Sequence, residues 1–421
     1  MRLFIALHAW VRALGSREEA GPGGSTPLGA MFAIAIISCA GYCGMLLLPL
    51  IVSAPINAFG VSEAAAGKFG AAELLAIACS STLLAPRVAS IRPRYSICAG
   101  LVLIITASAL AMLAPSPSGY MASRILSGVG EGLVLTAAHA IVAKTDGPDR
   151  VFAVVNFAVL VLGAASYPYL SAAVAHRGIA PLAVASAVLA LIAAFSLPLL
   201  GEYPAVGSES ESIFRVAKRW RRPLWGILCF YVAEGALWGY LLRLGIATGK
   251  PPQWAGDIIS GAFLLSLLGP LIVYWLNLKA GRRIPLVAST ALLCITAVVF
   301  AVDRTPEVFK IATFELYLVF IVAITYSSGL MAAIDPSGRL VAAVPGVRTF
   351  GMGVGPALSG LLMPEFGVRV VGWVAAIGYA SAVGLFAATS DAGRTPSPTK
   401  ALGSRTTESA AHKRRTAASG S

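Results

Sequence analysis

Residues 124–132 read RILSGVGEG and stand inside YMASRILSGVGEGLVLTAAHAIVA (120–143), a run otherwise apolar or small for more than twenty residues. A charged side chain at the centre of a membrane helix costs about 2.5–3.5 kcal/mol on insertion scales, so it persists mainly where it faces protein or water. Arg124 and Glu131 both carry that cost. At about 100° per residue, seven positions bring them to within about 20° of one helix face and about 10 Å apart along the axis. The spacing predicts that both look into one cavity, each with its own partner on another helix.

The rest of the chain is built in the same way. It has 421 residues, of which 57% are hydrophobic and 12% charged, with a mean hydropathy of +0.80. Soluble domains are nearer a quarter charged. Apolar runs recur near the roughly 20 residues that a helix needs to cross about 30 Å of hydrocarbon, without the alternation of a membrane barrel. We place spans at 30–52, 67–86, 96–114, 121–143, 152–174, 180–201, 224–246, 256–276, 284–302, 310–333, 345–364 and 369–388. The fold class is all-α and integral to the membrane, with twelve transmembrane helices as two six-helix bundles. Residues 1–29 form a lead-in, 30–201 the first bundle, 202–223 a linker, 224–389 the second bundle and 390–421 a Pro, Ser and Thr-rich tail. Met31, at the head of the first span, is an alternative start to Met1.

Basic residues orient the spans. With both termini cytoplasmic, 24 Lys and Arg fall on the inside, Arg339 and Arg348 among them, against 6 outside; Arg124 and Arg243 lie within spans. This predicts a multi-pass protein of the cell inner (plasma) membrane. The net charge of +13 gathers at helix ends and in the tail, where insertion and anionic headgroups account for it, so nucleic acid is not expected as a partner. The six cysteines all fall within spans and read as small apolar residues. No cofactor or metal is implied. The glycines of the eleventh span lie in an apolar helix rather than between a strand and a helix, which excludes a nucleotide loop.

Six spans on either side of a linker that turns from acidic to basic suggest the internal symmetry of a secondary transporter, with its site near the midplane. Several local patterns resemble the major facilitator superfamily. Arg124, Gly128, Gly130 and Gly132 match that family's R-x-x-x-G-x-G-x-G pattern in the fourth span. TFGMGVGPALSG (349–360), with Gly355 and Pro356, is similar to the glycine-proline helix of its drug and metabolite exporters, and AGRR (280–283) resembles the end of its loop signature. The loop around Asn277 and Leu278 lacks the family's aspartate, and GAASYPYLS in the fifth span matches its antiporter pattern only through Gly163 and Pro168. The resemblance implies a monomeric transporter of a small-molecule substrate and gives Arg124 a part in proton transfer or anion binding; a structural hub is the other reading.

Depth assigns the remaining roles. Glu131, near mid-span, is the first candidate proton carrier, with a carboxyl paired for packing as the alternative. Glu234 in the seventh span has Tyr231 and Trp238 on its face, a set suited to a cationic or amphipathic ligand or to interhelical packing. Glu73 and Glu315 are expected within about two turns of the outer surface, in reach of water. Asn156 and Tyr167 are candidate hydrogen-bond donors to a ligand, and His139 is a candidate relay. Arg243 is expected to snorkel outward. Gly355 and Pro356 let their helix bend or pack closely. The function these features predict is proton-coupled secondary transport of a small organic solute, with export preferred. A polytopic sensor, or a membrane-embedded lipid-handling enzyme, is the alternative; the scattering of ionisable groups over several helices disfavours the enzyme.

Overall fold

Backbone N–H and C=O groups in hydrocarbon have no water to bond and are satisfied within helices. Accordingly, every regular element among the described residues is helical. The computed structural model describes residues 26–83, 91–113, 116–145, 147–200, 203, 220–276, 281–335 and 339–389. Most of the predicted lead-in and linker, the loop containing Asn277 and Leu278, and the whole tail lie outside the described residues.

The first span is α1 (Leu28–Gly41), α2 (Cys43–Leu46) and α3 (Leu48–Phe59) in succession. Then come α4 (Glu63–Leu83), α5 (Pro93–Leu113), α6 (Pro117–Val142), α7 (Pro148–Arg177) and α8 (Ala180–Ser196), which complete the first half. The second half runs α9 (Arg221–Ile246), α10 (Pro252–Ser266) with α11 (Gly269–Leu276), α12 (Arg283–Val302), α13 (Pro306–Ile334), α14 (Arg339–Phe366) and α15 (Val370–Ala387). Nine helical stretches among the described residues are long and apolar enough to cross a membrane, and the two longer pieces of the first span are shorter apolar helices. The predicted count of twelve stands if the broken first and eighth spans are each counted once. The unbroken helix expected at 30–52 is corrected to three pieces ending at Phe59.

Glycines set the packing of the first half. A Cβ on Gly128 would overlap the carbonyl of Glu73, one on Gly132 the hydroxyl of Ser80, and one on Gly130 would lie 2.6 Å from the carbonyl of Gly100. The glycines of RILSGVGEG are therefore where α4 and α5 press against α6. The halves meet where α4 packs on α14, α7 on α10 and α3 on α9.

Proline explains the second break in the first span, at Leu47, and one means of joining the halves. A proline has no N–H, so the carbonyl four residues before it loses its helical partner. Pro49 frees Met45, whose carbonyl accepts from Trp238 Nε1 at 2.7 Å across the interface. Leu50 bonds back to Leu47, which releases the carbonyl of Leu46 to the hydroxyl of Tyr167 at 2.9 Å. Pro55 frees Ile51, reached by the Tyr120 hydroxyl at 3.5 Å. Pro168 frees Ala164, taken by Ser260 of the opposite half.

We call the side at which α8 ends and α9 begins the linker face. On the far face, Arg243 donates Nε to Glu63 Oε1 at 3.0 Å and also reaches it through Nη2, while the Tyr240 hydroxyl donates to the Glu63 carbonyl at 2.9 Å. Arg243 thus pairs across the halves instead of snorkelling, which corrects its expected fate: a carboxylate lay within reach on α4.

Charge reversal Glu63→Arg is expected to loosen the far face. In a chain stripped of native cysteines, a thiol placed at the fully buried Ala66 should then react several-fold faster with a membrane-impermeant maleimide. The exchanged pair Glu63→Arg with Arg243→Glu should restore slow labelling. Unchanged labelling in the single variant rejects this pair as a closure.

Candidate functional site

A cavity of about 760 Å³ lies between the halves, within the several-hundred-Å³ range of small-molecule sites. Its walls come from the broken first span and α7 on one side and from α9, α10, α11, α13 and α14 on the other. At its inner end Trp238 stacks edge-on to Tyr317 and Phe263, at centroid distances of 5.5 and 5.8 Å. Its lining extends to Asp149, at the linker-face start of α7, and to Pro270 and Thr325, in the linker-side thirds of the eighth and tenth spans. The cavity therefore reaches one side while Trp238, Tyr240 and the Glu63–Arg243 pair close the other.

Three charged side chains stand in this mainly aromatic and aliphatic lining: Asp149, exposed at the linker-face edge, and Glu234 and Arg348 further in. Glu234 accepts a hydrogen bond from the Tyr379 hydroxyl at 2.6 Å through Oε2; its second oxygen has no protein partner among the described residues. The guanidinium of Arg348 lies 5.6 Å from the centroid of the Tyr231 ring, a cation–π arrangement, and faces the hydroxyls of Tyr231 and Tyr42. Tyr42 in turn shares a hydrogen bond with Nε2 of His139 at 3.1 Å. No carboxylate lies within 4.0 Å of Arg348 among the described residues. Asn156 is exposed in the opposite wall.

A second group of charges is sealed inside the first half. Arg124 Nη1 meets Glu73 Oε1 at 3.3 Å, and its guanidinium carbon lies 5.2 Å from the Tyr120 ring centroid. Glu131 takes the Ser127 hydroxyl on Oε1 and the Gly44 N–H on Oε2, each at 3.1 Å. The two carboxyl groups converge: a Cβ on Gly44 would stand 2.5 Å from Glu131 Oε2 and 3.0 Å from Glu73 Cδ. Glu73 Oε2 is buried without a hydrogen-bond partner.

The sequence-derived residues therefore divide. Glu234, Tyr231, Trp238 and Asn156 line the cavity. Arg124, Glu131 and Glu73 do not, being 2%, 1% and 0% exposed. The expectation that Arg124 and Glu131 share Glu234's cavity is corrected, because residues 42–47 stand between them: Tyr42, Met45 and Leu46 face the cavity, while Gly44 bonds Glu131. Glu73 was expected within reach of water and is instead wholly buried, because the glycines of α6 draw α4 close and press Glu73 between the two helices. Tyr167 was expected at the ligand; its hydroxyl is spent on Leu46 and it is fully buried. Glu315 is half-buried against Thr296. Gly355 and Pro356 lie at a close helix crossing, where a Cβ on Gly355 would overlap the backbone of Val232 and Ala236.

The residue that sequence reasoning missed is Arg348, counted among cytoplasmic basic residues although it falls within the predicted eleventh span. Its position inside an apolar segment was the same signal that singled out Arg124.

The architecture is the major facilitator fold, as the fourth-span pattern and the six-plus-six layout implied. No family model matches the chain. An uncharacterised MFS-type transporter, YbcL of Bacillus subtilis (strain 168), is 23% identical over 354 residues, covering 78% of this chain and 87% of that protein. Among solved structures, the nucleoside transporter NupG superposes with a TM-score of 0.67 at 14% identity over 85% of this chain and 98% of NupG. The human organic anion transporter MFSD10 (TETRAN) gives 0.63 at 14% over 86% and 100%.

Removing one partner of a buried ion pair costs about 3–5 kcal/mol because the other charge is stranded. Arg124→Met is therefore expected to lower the melting temperature of the detergent-purified protein by several degrees. Adding Glu73→Met should recover most of the loss. Equal melting of Arg124→Met and the parent would show that the pair contributes no stability.

Proposed function

We propose that this chain is a secondary active transporter that moves a small organic solute by alternating access, coupled to protons, with export as the favoured direction. The observation that carries the reading is the cavity between the halves, charged at Glu234 and Arg348, reaching the linker face and closed at the far face. Rocking of the halves would break the Glu63–Arg243 pair and the Trp238–Met45 bond and expose the same cavity to the other side. On the basic-residue bias the linker face is cytoplasmic, as are both termini, in the plasma membrane; loading from there corresponds to export. The protein acts as a monomer, with one cavity in each chain.

The sealed cluster supports coupling to protons. Two carboxyl groups accompany one guanidinium, which pairs with Glu73, so a single proton on the two carboxyls makes the cluster neutral, the state that burial favours. Ionised Glu131 can only accept hydrogen bonds, from Gly44 and Ser127, whereas protonated Glu131 can also donate. Gly44 belongs to the broken segment whose opposite face lines the cavity. A proton arriving at Glu131 would thereby alter the wall against which the solute rests, and Gly355 with Pro356 would let α14 bend as that wall moves.

In proteoliposomes loaded with a solute found by thermal-shift screening, Glu131→Gln is expected to reduce transport driven by a pH gradient at least tenfold while exchange of solute across the membrane continues. Retained dependence on the gradient would remove Glu131 from the coupling role. Glu234→Gln is expected to weaken binding of ligands with a cationic group at least fivefold and to leave neutral ligands unaffected; equal losses for both would remove Glu234 from the solute site.

A further inference from the structure

The cavity presents opposite charges that the protein has not joined. Glu234 and Arg348 belong to α9 and α14, helices pressed together closely enough that a Cβ on Gly235 would overlap the backbone of Met352. Arg348 precedes Met352 by four residues and Glu234 precedes Gly235 by one, so the backbone of Arg348 stands about 4.5 Å nearer the linker face than Glu234's. Had the two side chains formed an ion pair, the cavity would be internally neutralised. Instead Glu234 is steadied by Tyr379 on one oxygen, and Arg348 by tyrosines alone. Each is held in place with bonding capacity remaining: a carboxylate accepts on both oxygens, and a guanidinium carries five N–H donors in a planar fork.

Leaving two opposite charges unpaired in an apolar cavity is costly unless a ligand completes both. Between them lies Tyr231, and beyond Glu234 the ring of Trp238, with Phe263 beside it. We infer that the solute is an aromatic or aliphatic zwitterion, whose ammonium group meets Glu234, whose carboxylate meets the Arg348 fork, and whose apolar body lies against Trp238 and Phe263. This rests on the transport reading above and specifies its substrate class. Asn156, from the other half, faces the same space and would bond the ligand's polar backbone, so that both halves hold one molecule.

A matched series tests the charge requirement on the unaltered full chain. L-Tryptophan and glycyl-L-tryptophan carry both charges at short and longer separation; tryptamine keeps only the amine and indole-3-propionate only the acid. Calorimetry on the detergent-purified protein is expected to show at least one zwitterion binding tenfold or more tightly than both single-charge analogues. Arg348→Gln should bring that zwitterion to the level of tryptamine, Glu234→Gln to that of indole-3-propionate, and Arg348→Lys should retain part of the preference. A single-charge analogue binding as tightly as the zwitterions, or no binding by any of the four, overturns the inference. Counterflow of radiolabelled probe in proteoliposomes separates this from the underlying reading: transport of tryptamine or indole-3-propionate alone leaves a transporter with another substrate class. Tight binding of a zwitterion that never crosses the membrane supports the site and rejects the transport function.

Discussion

A membrane helix cannot leave a backbone carbonyl unbonded without cost, and this chain places prolines where that constraint joins its two halves. Pro49 and Pro168 each remove an N–H from a helix of the first half, and the carbonyls so released, at Met45 and Ala164, are taken by Trp238 and Ser260 of the second. An unsatisfied buried polar group costs about 1–3 kcal/mol, so each proline turns its helix into an acceptor that only a correctly seated neighbour satisfies. Interhelical hydrogen bonds in membranes average well under 2 kcal/mol. They fix register without locking the interface, which suits the opening proposed above.

The same broken segment divides the charges. Residues 42–47 are too irregular to bond all their own backbone groups, and each group finds a different partner: Gly44 N–H a carboxylate, Met45 an indole, Leu46 a phenol. A continuous helix here would offer Glu131 no N–H and Trp238 no carbonyl. The sealed cluster and the cavity are thus both consequences of one interruption in the first span, and a movement of that segment is felt by both.

Much of the fold could be read from hydropathy alone, because twenty-residue apolar runs leave the chain few alternatives in lipid. RILSGVGEG also announced a helix with one charged face, and Glu234 stood out at mid-span. The sequence could not show which charges would be sealed. Arg124 and Glu131 lie on one face, but facing a cavity and facing α4 look identical from one helix; the choice was made by Gly128 and Gly132, whose missing side chains admit α4 and bring Glu73 over them. Arg348 was hidden by the opposite error. Near a helix start, an arginine counts towards topology, and only the packing of α14 on α9 turns it inward beside Tyr231. Tyr167 and Arg243 were misjudged because their partners, the Leu46 carbonyl and Glu63, lie more than a hundred residues away in sequence.

The polar contacts that hold the far face shut are few: the Glu63–Arg243 pair, Tyr240 on the Glu63 carbonyl, Trp238 on Met45 and Ser260 on Ala164. A typical intramolecular hydrogen bond contributes about 0.5–1.5 kcal/mol net, so together they amount to a few kcal/mol, the scale on which a minor conformation is populated at the level of a few per cent or less. In the proposed cycle, ligand and proton would need to supply only that much differential affinity to reverse the balance. The glycine contacts behave differently. Gly67 against Pro356 and Gly360 against the Ala64 carbonyl bring α4 and α14 close without a directional bond, so the helices can separate or slide with only dispersion to lose. An interface built from a handful of modest hydrogen bonds over bare backbone is well matched to rocking, whereas the dense packing of α6 against α4 and α5, with its buried ion pair, is suited to moving as one piece.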